Sequence, residues 1–450
     1  MSHLFRFLLV LSLSVPNAFA NDKADAYRIQ IREWVRSHAA RIPVIEPAEN
    51  DLAENLVDEL AYKNLAEMEQ KGLLKAELPN SPWADSYWPT YAGQIANRYN
   101  DPNYNAALVW KYNFDYLTEN LGQGGLEHMS PAEKYDLLVG DSAFTLTSKM
   151  IRAGLPFADA EGKVETWFGL CHGWSPASFM LPRPAHAVSV KAADGRTLTF
   201  TPSDMKALAT LLWANGAGPT KFIGARCNDK KPPKDGNGRD TNPDCFDTNP
   251  ATWHLSVVNQ IGVSKRSFVI DASAGYEVWN QPVFGYQYGY VNPNTNKSSY
   301  TLADMKVRLS DLKNDVYAAH RSAKAEYVVN VIMSLSYVTE NGPSTLLTDS
   351  SENDAYQAAT YTYDLELDRD DNIVGGEWHS GLHPDFLWVP VKGSKASSSG
   401  DAWLKSRGDN STWDGSAAIP PSWQKAAKMA ANHEQPLARV VEQLLELSRR

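Results

Sequence analysis

A chain with three cysteines can close one disulfide and must leave one thiol over, and the residues around each cysteine indicate which. Cys227 and Cys245 bracket a loop of Pro, Gly, Asn, Asp and Lys that cannot pack a core, so these two are expected to bond to each other. Loop entropy makes such a bridge worth about 3 kcal/mol. Cys171 is then the odd one out. It stands in an aromatic, glycine-rich run, Trp167-Phe168-Gly169-Leu170-Cys171-His172-Gly173-Trp174-Ser175-Pro176, with Trp253-His254 and an Ile270-Asp271 strand end downstream.

The first twenty residues read as an export signal. Arg6 supplies the positive end, residues 7–15 a short apolar stretch, Pro16 a break and Ala18-Phe19-Ala20 a small-x-small cleavage site. The apolar run is too short to span a bilayer, and nothing later reaches spanning length. The mature chain is therefore expected to begin near Asn21, after Ala20, and to be secreted or periplasmic without a membrane anchor. A disulfide persists in such a compartment, whereas a free thiol there is a liability unless its thiolate chemistry is used.

Removing the leader, with Arg6 its one charged side chain, takes the net charge from -10 to -11, which disfavours nucleic acid or an anionic membrane as the main ligand. Protein or a neutral surface fits better. With 43% hydrophobic residues and 14 Trp, the chain can bury a sizeable core. No repeat period, heptad run or phosphate loop is visible.

Along the chain, residues 22–38 and 52–71 carry apolar residues at helical spacing, and residues 21–80 are expected to form a helical N-terminal region, a candidate pro-region. Residues 81–93 hold too much Trp, Tyr and Pro for a surface linker and read as an irregular segment packed over something else. Ser130-Pro131 and Thr201-Pro202 open helices, and residues 187–200 form a hairpin around Asp194-Gly195. Residues 253–261 and 266–271 read as two strands, and residues 323–340 and 360–367 alternate again. A catalytic α+β core over 81–391 with an antiparallel sheet follows. Residues 392–420 read as a loose linker and 421–450 as a C-terminal helix, running from about Pro436 to Ser448.

The chemistry depends on whether the first two strands place His254 beside Asp271. A hairpin turn centred on Gly262-Val263 would set the two opposite each other, whereas a loop centred on Ser264 would send the carboxylate to the other face. The bland alternative makes His254 an ordinary strand histidine and Asp271 a turn former. Taken as a triad, the order Cys, His, Asp is that of papain-type acyl transfer: Cys171 attacks, His254 takes and returns its proton, and Asp271 orients the ring. His172 is the rival base. Trp167, Trp174 and Trp253 are the expected aromatic walls of a cleft that excludes water.

The run Val278-Trp279-Asn280-Gln281-Pro282-Val283 resembles the opening of the peptide by which plants detect the transglutaminase elicitors of oomycetes. The Cys171 segment, Trp253-His254, and Gly375-Gly376-Glu377-Trp378 to His383-Pro384-Asp385-Phe386-Leu387-Trp388 are similar to the same family, which has bacterial members. The resemblance implies a papain-like or transglutaminase-like core and a secreted, calcium-dependent protein-glutamine gamma-glutamyltransferase that joins glutamine side chains to lysine amines of protein substrates. After Val283 the chain departs from the more basic elicitor pattern. A cysteine peptidase or glutamine deamidase would use the same triad, and a non-catalytic exported surface protein would keep Cys171 inert or buried. For calcium, the acidic run Asp364, Glu366, Asp368, Asp370, Asp371, Asn372 lacks the glycine and final ligand of an EF-hand loop and reads better as a hairpin turn. The metal site is therefore unassigned. His379 and His383 stand four apart without the order of a zinc helix.

Overall fold

The computed structural model describes residues 51–229, 231–234, 241–242, 248–272, 275–379 and 383–450. The leader, the helix expected over 22–38 and Cys245 lie outside the described residues. The fold mixes helices with antiparallel sheet, as the sequence suggests. Among the described residues, no helix is long and apolar enough to cross a membrane.

The strands used below are β1 (Lys75–Glu77), β2 (Val188–Lys191), β3 (Thr197–Phe200), β4 (Thr220–Gly224), β5 (Val269–Asp271), β6 (Asn280–Val291), β7 (Tyr327–Thr339), β8 (Ala355–Leu367), β9 (Ile373–Gly375) and β10 (Phe386–Pro390). The main sheet runs β9-β8-β7-β6-β5-β10-β4, and every pairing is antiparallel. Its long strands follow the two-residue side-chain period, so alternate residues share a face. Tyr286, Tyr288 and Tyr290 of β6 stand opposite Leu335, Met333 and Val331 of β7, which in turn stand near Tyr361 and Tyr363 of β8. That face is a buried, tyrosine-rich core. The β2–β3 hairpin forms separately and as expected.

The helices used below are α1 (Pro131–Leu138), α2 (Cys171–Met180), α3 (Pro202–Gly216), α4 (Pro250–Val257), α5 (Ser399–Ser406), α6 (Pro421–Ala431) and α7 (Ala438–Leu447). Ser130 and Thr201 cap α1 and α3 through reciprocal side-chain to backbone hydrogen bonds with Glu133 and Asp204. A second core holds α1, α2, α3 and the C-terminal helices together. Gly173 lets α2 close on α3: a Cβ there would run into the carbonyl of Thr210 and come within 2.7 Å of the Ala214 Cβ.

Four expectations are corrected. Residues 253–261 are not a strand but α4 continuing into a π-helical turn over Val258–Val263. Every residue from 250 to 262 except Leu255 is buried, which the half-buried alternation of a strand would not give. The hairpin that would have set His254 opposite Asp271 therefore does not form. Residues 52–71 shorten to a helix over Leu65–Gln70, and residues 75–77 form β1, paired with β6, so residues 51–80 do not form a helical layer. Residues 392–420 are not a loose linker: Ser398 and Asp401 form a capping box at the start of α5, and Leu404, Trp413 and Ile419 are buried. The C-terminal segment holds two helices, α6 and α7.

Candidate active site

Cys171 is the first residue of α2, where backbone N–H groups lack intrahelical partners and the helix dipole is positive. Its cap residue, Leu170, contributes no side-chain hydrogen bond. The segment 83–90 lies across this helix. Trp83 N–H donates to Ser178 O, Leu170 N–H to Tyr87 O and Thr90 N–H to Phe168 O, while the Trp174 indole donates to Trp83 O at 3.1 Å. Gly169 permits this contact, since a Cβ there would lie 2.6 Å from the Tyr87 ring and carbonyl. The irregular aromatic segment is thus packed over the cysteine helix.

The other wall is the run at residues 278–283. The Cys171 thiol points toward the carbonyl of Val278 at 3.9 Å, and the Asn280 side-chain amide donates to Sγ at 3.4 Å. Trp388 Nε1 donates to Asn280 Oδ1 at 2.8 Å, which fixes the amide with its nitrogen toward sulfur. Ser175 Oγ, one helical turn below Cys171, donates to Asn280 O. Tyr87 packs edge-on against Trp279 with ring centroids 5.4 Å apart. Two residues of the run, Val278 and Asn280, thus touch the thiol directly.

Asp271 ends β5 directly opposite Asn280 of β6, and its Oδ1 accepts from Trp279 N–H at 3.1 Å. Its charge acts on Cys171. Arg226 stands among Asp271, Asp385, Tyr276 and Cys171, with its guanidinium 5.7 Å from the Trp167 ring centre, and burial lowers its pKa against the pull of those anions. Trp167 lies in a small apolar cluster with Val278 and Phe386, flanked by Tyr276, Trp279 and Trp388. Sequence reasoning missed Arg226, Asn280 and Trp388. Asn280 was visible inside the motif, but nothing in the sequence signals that a guanidinium from residue 226 feels the charges of carboxylates at 271 and 385.

Cys171 is free and only 5% exposed. Burial pushes its thiol up to about 11, opposed by the Asn280 hydrogen bonds and reinforced by the negative charges of Glu340 and Asp271. The resting sulfur is therefore a neutral thiol, and a substrate carbonyl reaches it only if the aromatic wall parts.

His254 is not brought to this site. Its ring is fully buried against the tyrosine-rich face, Nδ1 is hydrogen-bonded to the Tyr363 hydroxyl at 2.8 Å, and the Tyr288 ring meets it edge-on at 4.6 Å. Burial lowers its pKa to about 3, with no contribution from Cys171 or Asp271. Trp174 and Trp253 are likewise core residues at 0% exposure and do not wall the cleft. His383 sits two residues before Asp385, stacked on Trp378 at 5.1 Å, its pKa lowered to about 4 chiefly by burial.

The acidic run does not fit calcium. Asp364 and Glu366 hold Arg321, Asp368 accepts from Asn372, and Asp371 pairs with Lys306. These carboxylates already serve cations and a hairpin turn between β8 and β9. Among the described residues, no group of three or more His, Cys, Asp or Glu is placed to hold a metal.

The sequence profile of the transglutaminase elicitor family matches residues 54–405. The crystal structure of the GP42 transglutaminase from Phytophthora sojae is similar at 23% identity with a TM-score of 0.47, covering 82% of this chain and 99% of that one. No curated protein sequence matches the chain.

Proposed function

Because the chain belongs to the transglutaminase elicitor family, we propose that it is an exported acyltransferase that forms a thioester between Cys171 and glutamine side chains of proteins and passes the acyl group to primary amines such as lysine. One observation carries the reading. The free cysteine stands at a helix N-terminus with a fixed amide donor on its sulfur, walled by the motif that marks the family. The donor and the helix end both favour the thiolate once a substrate displaces the wall, and Asn280 or the α2 backbone can then face the developing oxyanion.

Cys171 attacks the glutamine carboxamide, ammonia leaves, and an amine resolves the thioester. The aromatic wall of Tyr87, Trp167, Trp279 and Trp388 keeps water from competing. Asp271 supports the site through Trp279 and its opposition to Asn280. Neither His254 nor His383 contacts Cys171 among the described residues, so the base is left unassigned. We propose that a Cys227–Cys245 bridge tethers the segment after β4 that carries Arg226.

The burial of Cys171 favours one second reading, a non-catalytic exported protein that kept the fold. Incubation with a glutamine-containing protein and a fluorescent amine, with and without calcium, separates the two. Acyl transfer predicts amine adduct that Cys171→Ala abolishes. A peptidase would leave new chain termini, a deamidase glutamate without adduct, and a non-catalytic protein neither.

A further inference from the structure

The charges around the sulfur suit a cation better than they suit the thiol. Glu340 follows β7, and both its carboxylate oxygens accept from Gln281 Nε2, at 2.9 and 3.1 Å. Gln281 is the residue after Asn280, whose amide touches Cys171 Sγ. Gln281 is 4% exposed, and among the described residues its Oε1 has no hydrogen-bond partner. Because the carboxamide is planar, an amide turned to give Nε2 to Glu340 presents Oε1 beside the same carboxylate. The result is a partly exposed anion and a buried, unused acceptor side by side, one strand position from the residue that touches the nucleophile. Such a pair matches an ammonium group, which has three donors and no acceptor.

Two electrostatic facts agree. Glu340 and Asp271 both disfavour the Cys171 thiolate, and Glu340 also acts on Tyr87 at the rim. A carboxylate whose charge opposes ionisation of the thiol works against the first half of the reaction and needs a separate use. Recognition of a cationic co-substrate is that use.

We propose that Glu340, oriented by Gln281, is the docking point for the ammonium group of the amine co-substrate, an inference that rests on the acyl-transfer reading above. Resolution of the thioester forms the C–N bond and breaks the C–S bond. Of the three ammonium protons, one stays on nitrogen, one ends on sulfur and one passes to solvent. The residue acts on which nucleophile is captured, so it is a specificity residue.

The test compares a cationic alkyl diamine with hydroxylamine, which is neutral near pH 7.5, as acceptors for one glutamine peptide. Taking the ratio of their KM values cancels any change in thioester formation. Glu340→Gln should raise the diamine KM relative to that of hydroxylamine by about tenfold or more, the scale of one charge-assisted hydrogen bond. Gln281→Leu should move the ratio the same way. Hydroxamate formation with an unchanged ratio in both variants overturns this inference alone. Absence of both hydroxamate and amine adduct from the wild-type protein overturns the acyl-transfer reading, and the inference with it.

Discussion

The resting thiol should be slow to alkylate, and the expected rate can be worked out. A thiol at about 11 is ionised in roughly one molecule per thousand at pH 8, whereas an unperturbed cysteine near 8.5 is about one quarter ionised. Ionisation alone makes Cys171 about two hundredfold less reactive toward iodoacetamide than a free thiol, and burial under Tyr87 and Trp279 slows it further. The assay is a pseudo-first-order alkylation followed by intact mass from pH 6 to 10.5. The logarithm of the rate should climb about one unit per pH unit with no plateau below pH 10. Adding a glutamine peptide that parts the wall should accelerate it. Asn280→Leu removes the donor on sulfur and should shift the curve to still higher pH. A plateau near pH 6–7 in the peptide-free protein would refute the reasoning, because it would mean an ion pair with an imidazole that the packing around Cys171 does not provide.

His254→Phe should leave thioester formation intact and change acid stability instead. With a folded pKa of about 3 against the ordinary 6.5, the unfolded chain takes up the proton first, so stability is full above 6.5 and falls as the pH drops toward 3. Urea unfolding should show this residue costing the wild type about 2.5 kcal/mol between pH 7 and 4.5, a loss the variant escapes. Loss of thioester with unchanged unfolding would instead restore His254 as the base. Gly173→Ala should destabilise by about 1–3 kcal/mol through the clash with α3, read as a lower urea midpoint at unchanged slope. Peptide mapping without reductant should find Cys227 joined to Cys245, and a bridge from either to Cys171 would sink the nucleophile assignment.

What could be read from the sequence was whatever local chemistry determines. Ser130-Pro131 and Thr201-Pro202 announce their helices because the cap and the proline act within one turn. The aromatic segment over Cys171 was legible because that much Trp has to be buried. The misreading of residues 253–261 had its remedy in the same sequence. Asn249 and Pro250 are an N-cap and first-turn pair, with Asn249 Oδ1 accepting from Ala251 N–H, and Trp253, Val257 and Ile261 recur every four residues. The Ser-rich stretch before α5 concealed a capping box behind a linker-like composition. The grouping of Arg226, Asp271, Asp385 and Asn280 was not legible, because it depends on β5 lying between β6 and β10, a long-range pairing with no local signature.

The burial of residues 278–283 bears on any reagent meant to recognise that run. Val278 is 8% exposed, Asn280 5%, Gln281 4% and Val283 0%, so on the folded protein the hexapeptide offers a visitor little beyond the edge of Trp279. An antibody raised against the free peptide should bind the denatured or proteolysed chain and pass over the native one. Detection of this motif therefore reports on the integrity of the protein as well as its presence, and a binder for the intact molecule has to be directed elsewhere on its surface.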